Sequence, residues 1–420
     1  MNVIEGGSIV ANYQVTPSGN PKQEPSVAVN LLDLTTVMAT ATDFSSGPPL
    51  IGIYRSINGG VNWVNALLPL PPGYTGAEAG FVAYGFPNLF IVSAHVFPGD
   101  SDGTVVAYRS TDNGVTFSDP IFVNKGYGTF INNDWTKIII DNAQSSPYLG
   151  YVYVTYNRQY NVDLGGNSVA GFQRSTDGGL TWDQPQFLSD LMEDTERADV
   201  AVSLKGTVTL GWIDVSSVNP AFYIRISLDG GTTFGSPIFV SNVVLVPSPL
   251  PVTGYEFRVL NFSNMAADTS LTPGTSGNLY AVWQDNSQGY ADIFLSRSLD
   301  QGQTWNAPIS VTNAPAGSQN FFPAIAVSPK TGTVKILYYT NQLDGFDLDT
   351  FVAESSDGGL TFVNSRVSTV SFNPNGNSPT PTPLIGDYID LTIVPPDDFL
   401  GVWTDTRTGT QTIFAGNNNP

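Results

Sequence analysis

Acidic residues stand at the head of one apolar strand after another along this chain: Glu24 in EPSVAVN, Glu78 before AGFVAYG, Asp134 in DWTKIIID, Glu196 before RADVAVS and Asp387 in DYIDLTIV. Arg197, Arg258 and Glu256 fall in the same connecting segments. If the strands converge on an axis, these groups converge with them. Paired carboxyls at such a place suit general acid–base cleavage of a glycosidic bond, and their separation decides retention or inversion. Asp134-Trp135 has the make-up of a sugar platform, an aromatic face beside a hydrogen-bonding carboxylate. The plainer reading is that a chain with 36 acidic residues places some of them near any axis by chance.

What must hold these residues is a set of short strands. Runs such as VYVTY, TVKILYY and DIFLSRS alternate in the period-two, β-branched and aromatic manner of strands. Forty-two glycines and 30 prolines supply turns, and no segment has an amphipathic helical pattern. One phrase recurs six times: SINGGVNW (56–63), STDNGVTF (110–117), STDGGLTW (175–182), SLDGGTTF (227–234), SLDQGQTW (298–305) and SSDGGLTF (355–362). Its chemistry is that of a hairpin corner. The Asp accepts backbone N–H groups, glycine supplies positive φ, and the terminal aromatic plugs the adjoining apolar layer. These positions are poor candidates for catalysis.

Seven apolar strands open seven units, at intervals typical of propeller repeats. The strands beginning at Glu24, Ala79, Asp134, Arg197, Ser263, Phe322 and Asp387 are each followed by a second, third and, in six units, fourth strand. The expected fold is therefore all-β, a single β-propeller over 1–420 with seven four-stranded blades, six being the alternative count. The seventh unit stops after its third strand. SIVANYQV (8–15) has the character of the missing fourth, and pairing it there would close the ring and cover an open edge. Longer inter-blade loops are expected at 241–260 and 367–386.

Sixteen basic against 36 acidic residues, a net charge of −20, oppose nucleic acid and anionic membranes as partners. The absence of cysteine removes disulfides, thiolate metal sites and thiol nucleophiles. The first residues lack the basic and apolar regions of a signal peptide, and the most apolar run, FVSNVVLVPSPLPV, is short and proline-broken. An extracellular or cell-surface location is expected.

The six phrases resemble the Asp-boxes, or bacterial neuraminidase repeats, of the sialidase superfamily, over nearly the whole chain. The resemblance implies a propeller with the boxes on one face and the ligand site on the other, where the inner strands begin. It implies for a sialidase three arginines on a substrate carboxylate, an Asp acid/base and a Tyr nucleophile paired with Glu. Gln23 stands where the first arginine of an Arg-Ile-Pro phrase would fall, which disfavours an ordinary sialidase. Tyr388-Ile389-Asp390-Leu391 is similar to the nucleophile phrase and places Tyr388 on the nucleophile.

Several residues carry two readings. Trp212-Ile213-Asp214, Trp283-Gln284-Asp285 and Trp403-Thr404-Asp405 end second strands, and the structural reading is an Asp capping the next turn. Arg158 departs from that pattern, and His95, the sole histidine, occupies its aromatic slot, as either a packed core residue or a base. Five of the ten arginines (Arg55, Arg109, Arg174, Arg225 and Arg297) precede the octapeptides and read as structural. Loops 98–103 and 343–349 carry oxygen ligands at alternate positions that would suit calcium, without the full calcium-loop pattern; otherwise no metal or cofactor is expected.

The candidate site thus has Glu196, Asp387 and Tyr388 as catalytic groups, with Glu24, His95, Asp134, Trp135, Arg158, Arg197 and Arg258 as ligand-binding groups. The expected function is a carbohydrate-directed propeller, either a glycoside hydrolase or a non-catalytic glycan- or protein-binding scaffold.

Overall fold

A computed structural model describes residues 3–417 except 6–7, 100–101, 162, 164–165, 191–193, 217, 377 and 381–382. No α-helix occurs among the described residues. Seven antiparallel sheets form the ring. The first blade shows the pattern: Lys22–Asn30, Asp33–Asp43, Leu50–Ser56 and Val64–Leu67, in that order from the axis outward. The innermost strands of the other six are Gly76–Gly85, Ile131–Ile140, Asp199–Val202, Ser263–Ala267, Asn320–Val327 and Asp390–Val394. The count is seven, and the six-blade alternative falls.

The last blade is closed by the chain's beginning. Strand Ser8–Gln14 pairs antiparallel with Thr412–Asn417, Gln14 opposite Phe414, and Val3–Glu5 adds a fifth strand outside it. Beyond the strand pairing, the Val15 N–H donates to Ile413 O at 2.9 Å and Asn12 Nδ2 to Val367 O at 2.9 Å. The expected closure is thus made by backbone pairing, which removes two free sheet edges at once. Met1, Asn2, Gly6 and Gly7, in the same N-terminal segment, lie outside the described residues.

The octapeptide turns are built as local chemistry requires. In the third blade, Ser175 Oγ donates to Asp177 Oδ1 at 2.7 Å and accepts the Gly179 N–H at 2.8 Å. Asp177 Oδ1 also accepts the Thr181 N–H at 2.9 Å, and Oδ2 accepts the Thr181 hydroxyl at 2.6 Å. Only the second glycine is present in all six copies, for a steric reason. A Cβ on Gly179 would sit 2.9 Å from Ile91 of the preceding blade, and one on Gly302 would sit 2.8 Å from Ile226. Asn113 and Gln301 take the first position at φ 65° and 62°, conformations that asparagine tolerates better than most residues. The arginines before the octapeptides link blades: Arg55 Nε donates to Asn113 O at 2.8 Å, Arg109 Nε to Gly178 O at 2.5 Å, Arg174 Nη1 to Gly230 O at 2.8 Å and Arg297 Nη1 to Gly358 O at 2.8 Å. Arg225 departs from this, reaching Gly235 O in its own blade at 3.3 Å.

Strand register separates the two faces of the ring. In the first blade Asn30 pairs with Asp33 and Val37 with Ser56, so the first hairpin and the octapeptide share one end, while Lys22 pairs with Asp43 at the other. The acidic strand heads therefore open on the face away from the octapeptides.

Four innermost strands bulge near that opening, between Gln23 and Ser26, Glu78 and Phe81, Asp134 and Lys137, and Phe321 and Ala324. Each bulge holds a left-handed non-glycine residue: Glu24 (φ 57°), Ala79 (52°), Trp135 (47°) and Phe322 (51°). Such conformations cost about 1–3 kcal/mol each and persist where surrounding packing enforces them. A bulge bends its strand and re-aims a side chain. Here three of the four lie at Glu24, Glu78 and Asp134.

Candidate active site at the axial mouth

The centre of the mouth is a guanidinium among carboxyls. Residues 243–262, between the fourth and fifth blades, bury Tyr255, Phe257 and Val259 and present Arg258 between them. The Arg258 N–H donates to Pro383 O at 2.9 Å, and the Glu256 N–H to Asn375 Oδ1 at 3.4 Å, so the two long inter-blade loops meet there. Arg258 Nε lies 2.9 Å from Asp387 Oδ1, and Nη2 bonds Asp387 Oδ2. Asp387 is fully buried, whereas Arg258 keeps 36% of its side chain open. This forked pair holds Arg258 firmly while leaving it facing the mouth.

Around it, the carboxyls divide into two kinds. Glu24 is buried, accepts the Thr42 hydroxyl at 2.9 Å, and is pushed up to about 8 by burial and by the charges of Asp387 and Glu78. Glu196 is half-buried and is pushed up to about 7, chiefly by burial, although the Asn261 N–H donates to its Oε2. Glu78 is raised too, first by burial. Asp134 goes the other way. Burial alone would raise it, but His95 and the Trp135 N–H, 2.6 Å from Oδ1, hold it below the usual carboxylate range. His95 Nδ1 sits 3.1 Å from Asp134 Oδ1, and although burial opposes its charge, Asp134 and Glu78 raise the imidazole overall. Protonated and ionised carboxyls near one guanidinium are the arrangement that acid–base chemistry uses.

Beside this group a pocket of about 500 Å³ opens between the first three blades. Glu78, His95, Asn132, Asp134 and Thr380 are its polar lining, and Phe44 and Phe97 are its aromatic walls. The His95 and Phe97 rings are 5.1 Å apart.

One layer deeper, Arg197 is 1% exposed and lies among three rings: Phe81 at 5.1 Å, Phe262 at 4.8 Å and Tyr388 at 5.1 Å. Its Nη2 donates to Asn264 Oδ1 at 3.1 Å, while Nε and Nη1 make no hydrogen bond within the described protein. Tyr388 is buried, its hydroxyl has no hydrogen-bond partner there, and burial followed by the nearby Glu24 keeps its phenol protonated well above the ordinary value. Lys137 Nζ pairs with Asp199 at 2.7 Å, and Asp390 accepts the Ser26 hydroxyl at 2.8 Å.

The candidates sort accordingly. Glu24, Glu196, Asp387, Arg258, Asp134 and His95 share the mouth, and Arg197 and Tyr388 form its floor. Trp135 is half-buried with its ring edge-on to Phe262 at 5.4 Å, so it belongs to the packing between blades. Arg158 is held apart, bonded to Asn133 Oδ1 at 3.0 Å and Asn124 Oδ1 at 2.5 Å over the Phe187 ring. Glu256 is exposed. Asp285 and Asp405 accept the indole N–H of Trp283 and Trp403 at 3.3 and 3.0 Å, and each caps the following turn.

Glu78, Asn132, Phe44 and Phe97 are what sequence reading placed too loosely or missed. Glu78 carried a signal, as the acid before an inner strand; the others carried none.

Among the described residues no group of three or more His, Asp or Glu side chains is placed to hold a metal ion. In loop 343–349, Asp344 Oδ1 accepts the N–H groups of Phe346 and Asp347, both at 2.8 Å, closing a turn. Asp100 and Ser101, part of the other calcium expectation, lie outside the described residues. No described helix is long and apolar enough to cross a membrane.

No protein-family model and no curated protein matches the chain. Solved structures do. A Penicillium chrysogenum α-L-arabinanase complexed with arabinobiose is 13% identical and superposes with a TM-score of 0.52, over 96% of this chain and 97% of that one. A Hadza microbial sialidase is 14% identical with a TM-score of 0.52, over 91% and 73%. An ulvan lyase, from a family of polysaccharide lyases, is 12% identical with a TM-score of 0.54, over 94% and 93%. What these superpositions establish is architecture: the chain has the ring fold on which an arabinanase, a sialidase and an ulvan lyase are also built.

Proposed function

We propose that the protein is a glycoside hydrolase acting at the axial mouth, with Glu196 as the proton donor and Asp134 as the ionised carboxylate. The observation that carries this is the division of carboxyls at one opening: Glu196 rests near 7, where a general acid works best, while Asp134 is held ionised beside His95. Glu24 has the higher value but is buried, whereas Glu196 and Asp134 are partly open to the mouth. The Asn261 N–H occupies Glu196 Oε2, which leaves Oε1 to carry the transferable proton. Arg258, fixed by Asp387, offers its open face to a sugar hydroxyl or ring oxygen. Tyr388 and Asp387 then support the site from beneath, since one is buried and protonated and the other is fully engaged.

The neighbours support a glycan as ligand: the arabinanase holds arabinobiose, and the others are named for cutting glycans. Hydrolysis of aryl glycosides, with sialosides included, tests the proposal. Turnover of a neutral glycoside that falls about 10²–10⁴-fold in Glu196→Gln is expected. Turnover unchanged in Glu196→Gln and Asp134→Asn would overturn the assignment.

A second reading, glycan binding without cleavage, is favoured by the buried Tyr388 hydroxyl and by Gln23 at the arginine position. Under it the native protein binds oligosaccharides and cleaves none.

A further inference from the structure

Two aromatic rings outside the packed ring of blades stand open on the mouth side. Tyr127 is 71% exposed and Phe130 is 62% exposed, in the segment that leads into the innermost strand of the third blade. Their ring centroids are 6.4 Å apart with planes 33° from parallel. Tyr127 and Phe130 are held by backbone pairing, the Tyr127 N–H donating to Ile131 O at 2.9 Å and the Phe130 N–H to Tyr127 O at 3.1 Å. Exposing two large rings side by side costs free energy in water unless something covers them.

This segment is joined to the wall of the pocket. The Asp102 N–H donates to Gly128 O at 2.9 Å, and the Gly128 N–H returns to Asp102 Oδ1 at 3.0 Å. The Gly103 N–H donates to Asn132 Oδ1 at 2.8 Å, and Asn132 itself lines the pocket. The pocket and the aromatic pair are therefore neighbouring parts of one stitched surface.

Charge restricts what can cover it. The chain carries a net charge of −20, and at the mouth Asp134 is held ionised while Arg258 is paired with Asp387. A polyanion approaching that opening is repelled. A neutral sugar has what the surface offers partners to: apolar C–H faces for rings and hydroxyls for carboxylates and Asn132.

Resting on the hydrolase reading, we infer that Tyr127 and Phe130 are a stacking platform for a neutral polysaccharide, whose chain runs from the pocket out over the rim between the second and third blades. The platform binds sugars beyond the one being cut. Its removal therefore affects long substrates and spares short ones.

The test compares Tyr127→Ala, Phe130→Ala and the double variant with the native protein on aryl monosaccharides and on fragments of neutral arabinan, xylan and galactan of increasing length. Sialylated and uronate-containing oligosaccharides serve as anionic probes. Each substitution is expected to raise KM for long neutral fragments by about 2- to 10-fold, the range for one lost aromatic contact. Aryl monosaccharide turnover and Tm should stay at native values, and Tyr127→Phe should retain the long-chain preference. Native protein that cuts aryl monosaccharides but gains nothing from chain length, or variants that keep the native KM for long fragments, would sink the platform alone. Preference for the anionic probes would overturn the neutral class. Failure of the native protein to cut or bind any glycan would overturn the hydrolase reading and the platform with it.

Discussion

The same functional group leads opposite lives on the two faces of this ring. On the octapeptide face, Asp112, Asp177 and Asp229 sit in exposed turns and are held down at about 2: what burial they have would raise them, but threonine hydroxyls and backbone N–H groups outweigh it. At the mouth, Glu24 and Glu196 are pushed up to about 8 and about 7 because burial dominates and too few donors compensate. A carboxylate supplied with donors is a brace. A carboxyl deprived of water and donors keeps its proton, and a kept proton can be given away.

The sharpest way to break this contrast is Glu196→Gln, with turnover expected to fall about 10²–10⁴-fold and Tm to stay close to native. Deleting residues 1–16 reaches both faces, because it reopens the seventh blade and strips the Thr412–Asn417 strand of its outer partner. A Tm lower by roughly 10 °C or more is expected in a thermal melt, and a deletion that melts like the parent would refute the closure. Asp177→Ala removes a turn brace only. It should cost about 1–2 kcal/mol in denaturant unfolding and leave kcat/KM as it was.

The smallest effect is in pH, and its sign follows from the two directions. Glu24, Glu196 and His95 are raised in the folded protein, so their stabilisation is complete below their ordinary values. For the two glutamates it is lost as pH climbs through about 7 to 8, and for His95 as pH climbs through its raised value. The octapeptide aspartates are depressed, so their contribution holds above their ordinary range and is lost as pH falls toward about 2. Being exposed, they are screened by solvent, which makes the acid limb shallow. Tm should therefore be highest near pH 5 and decline toward pH 8.5, with a flatter decline in Glu24→Gln, whose side chain cannot ionise. Identical slopes in the two proteins would show that Glu24 does not keep its proton.

The fold was largely legible because its signals are local. Ser175, Asp177, Gly179 and Thr181 satisfy one another within a few residues, so six copies of the phrase announce six hairpins. The closing strand was legible from arithmetic, one blade being short of a strand and one strand short of a blade. The mouth was legible in part. Glu24, Asp134, Glu196 and Asp387 were marked by their place before inner strands, but their proton affinities depend on neighbours from other blades. Arg258 and Asp387 are 129 residues apart in sequence, and no spacing rule connects them. Trp135 had the right side chain for a platform, yet Phe262 claims its ring, while Tyr127 and Phe130 stand open a few positions earlier.

By itself the sequence determined a closed ring of small sheets, a braced face and an acidic opposite face, because strands, turns and total charge are properties of short segments and sums. Only the tertiary structure decided which acids hold protons, which arginine is accessible and which aromatic rings are uncovered. Burial and distance set all three, and both are made by residues far apart along the chain.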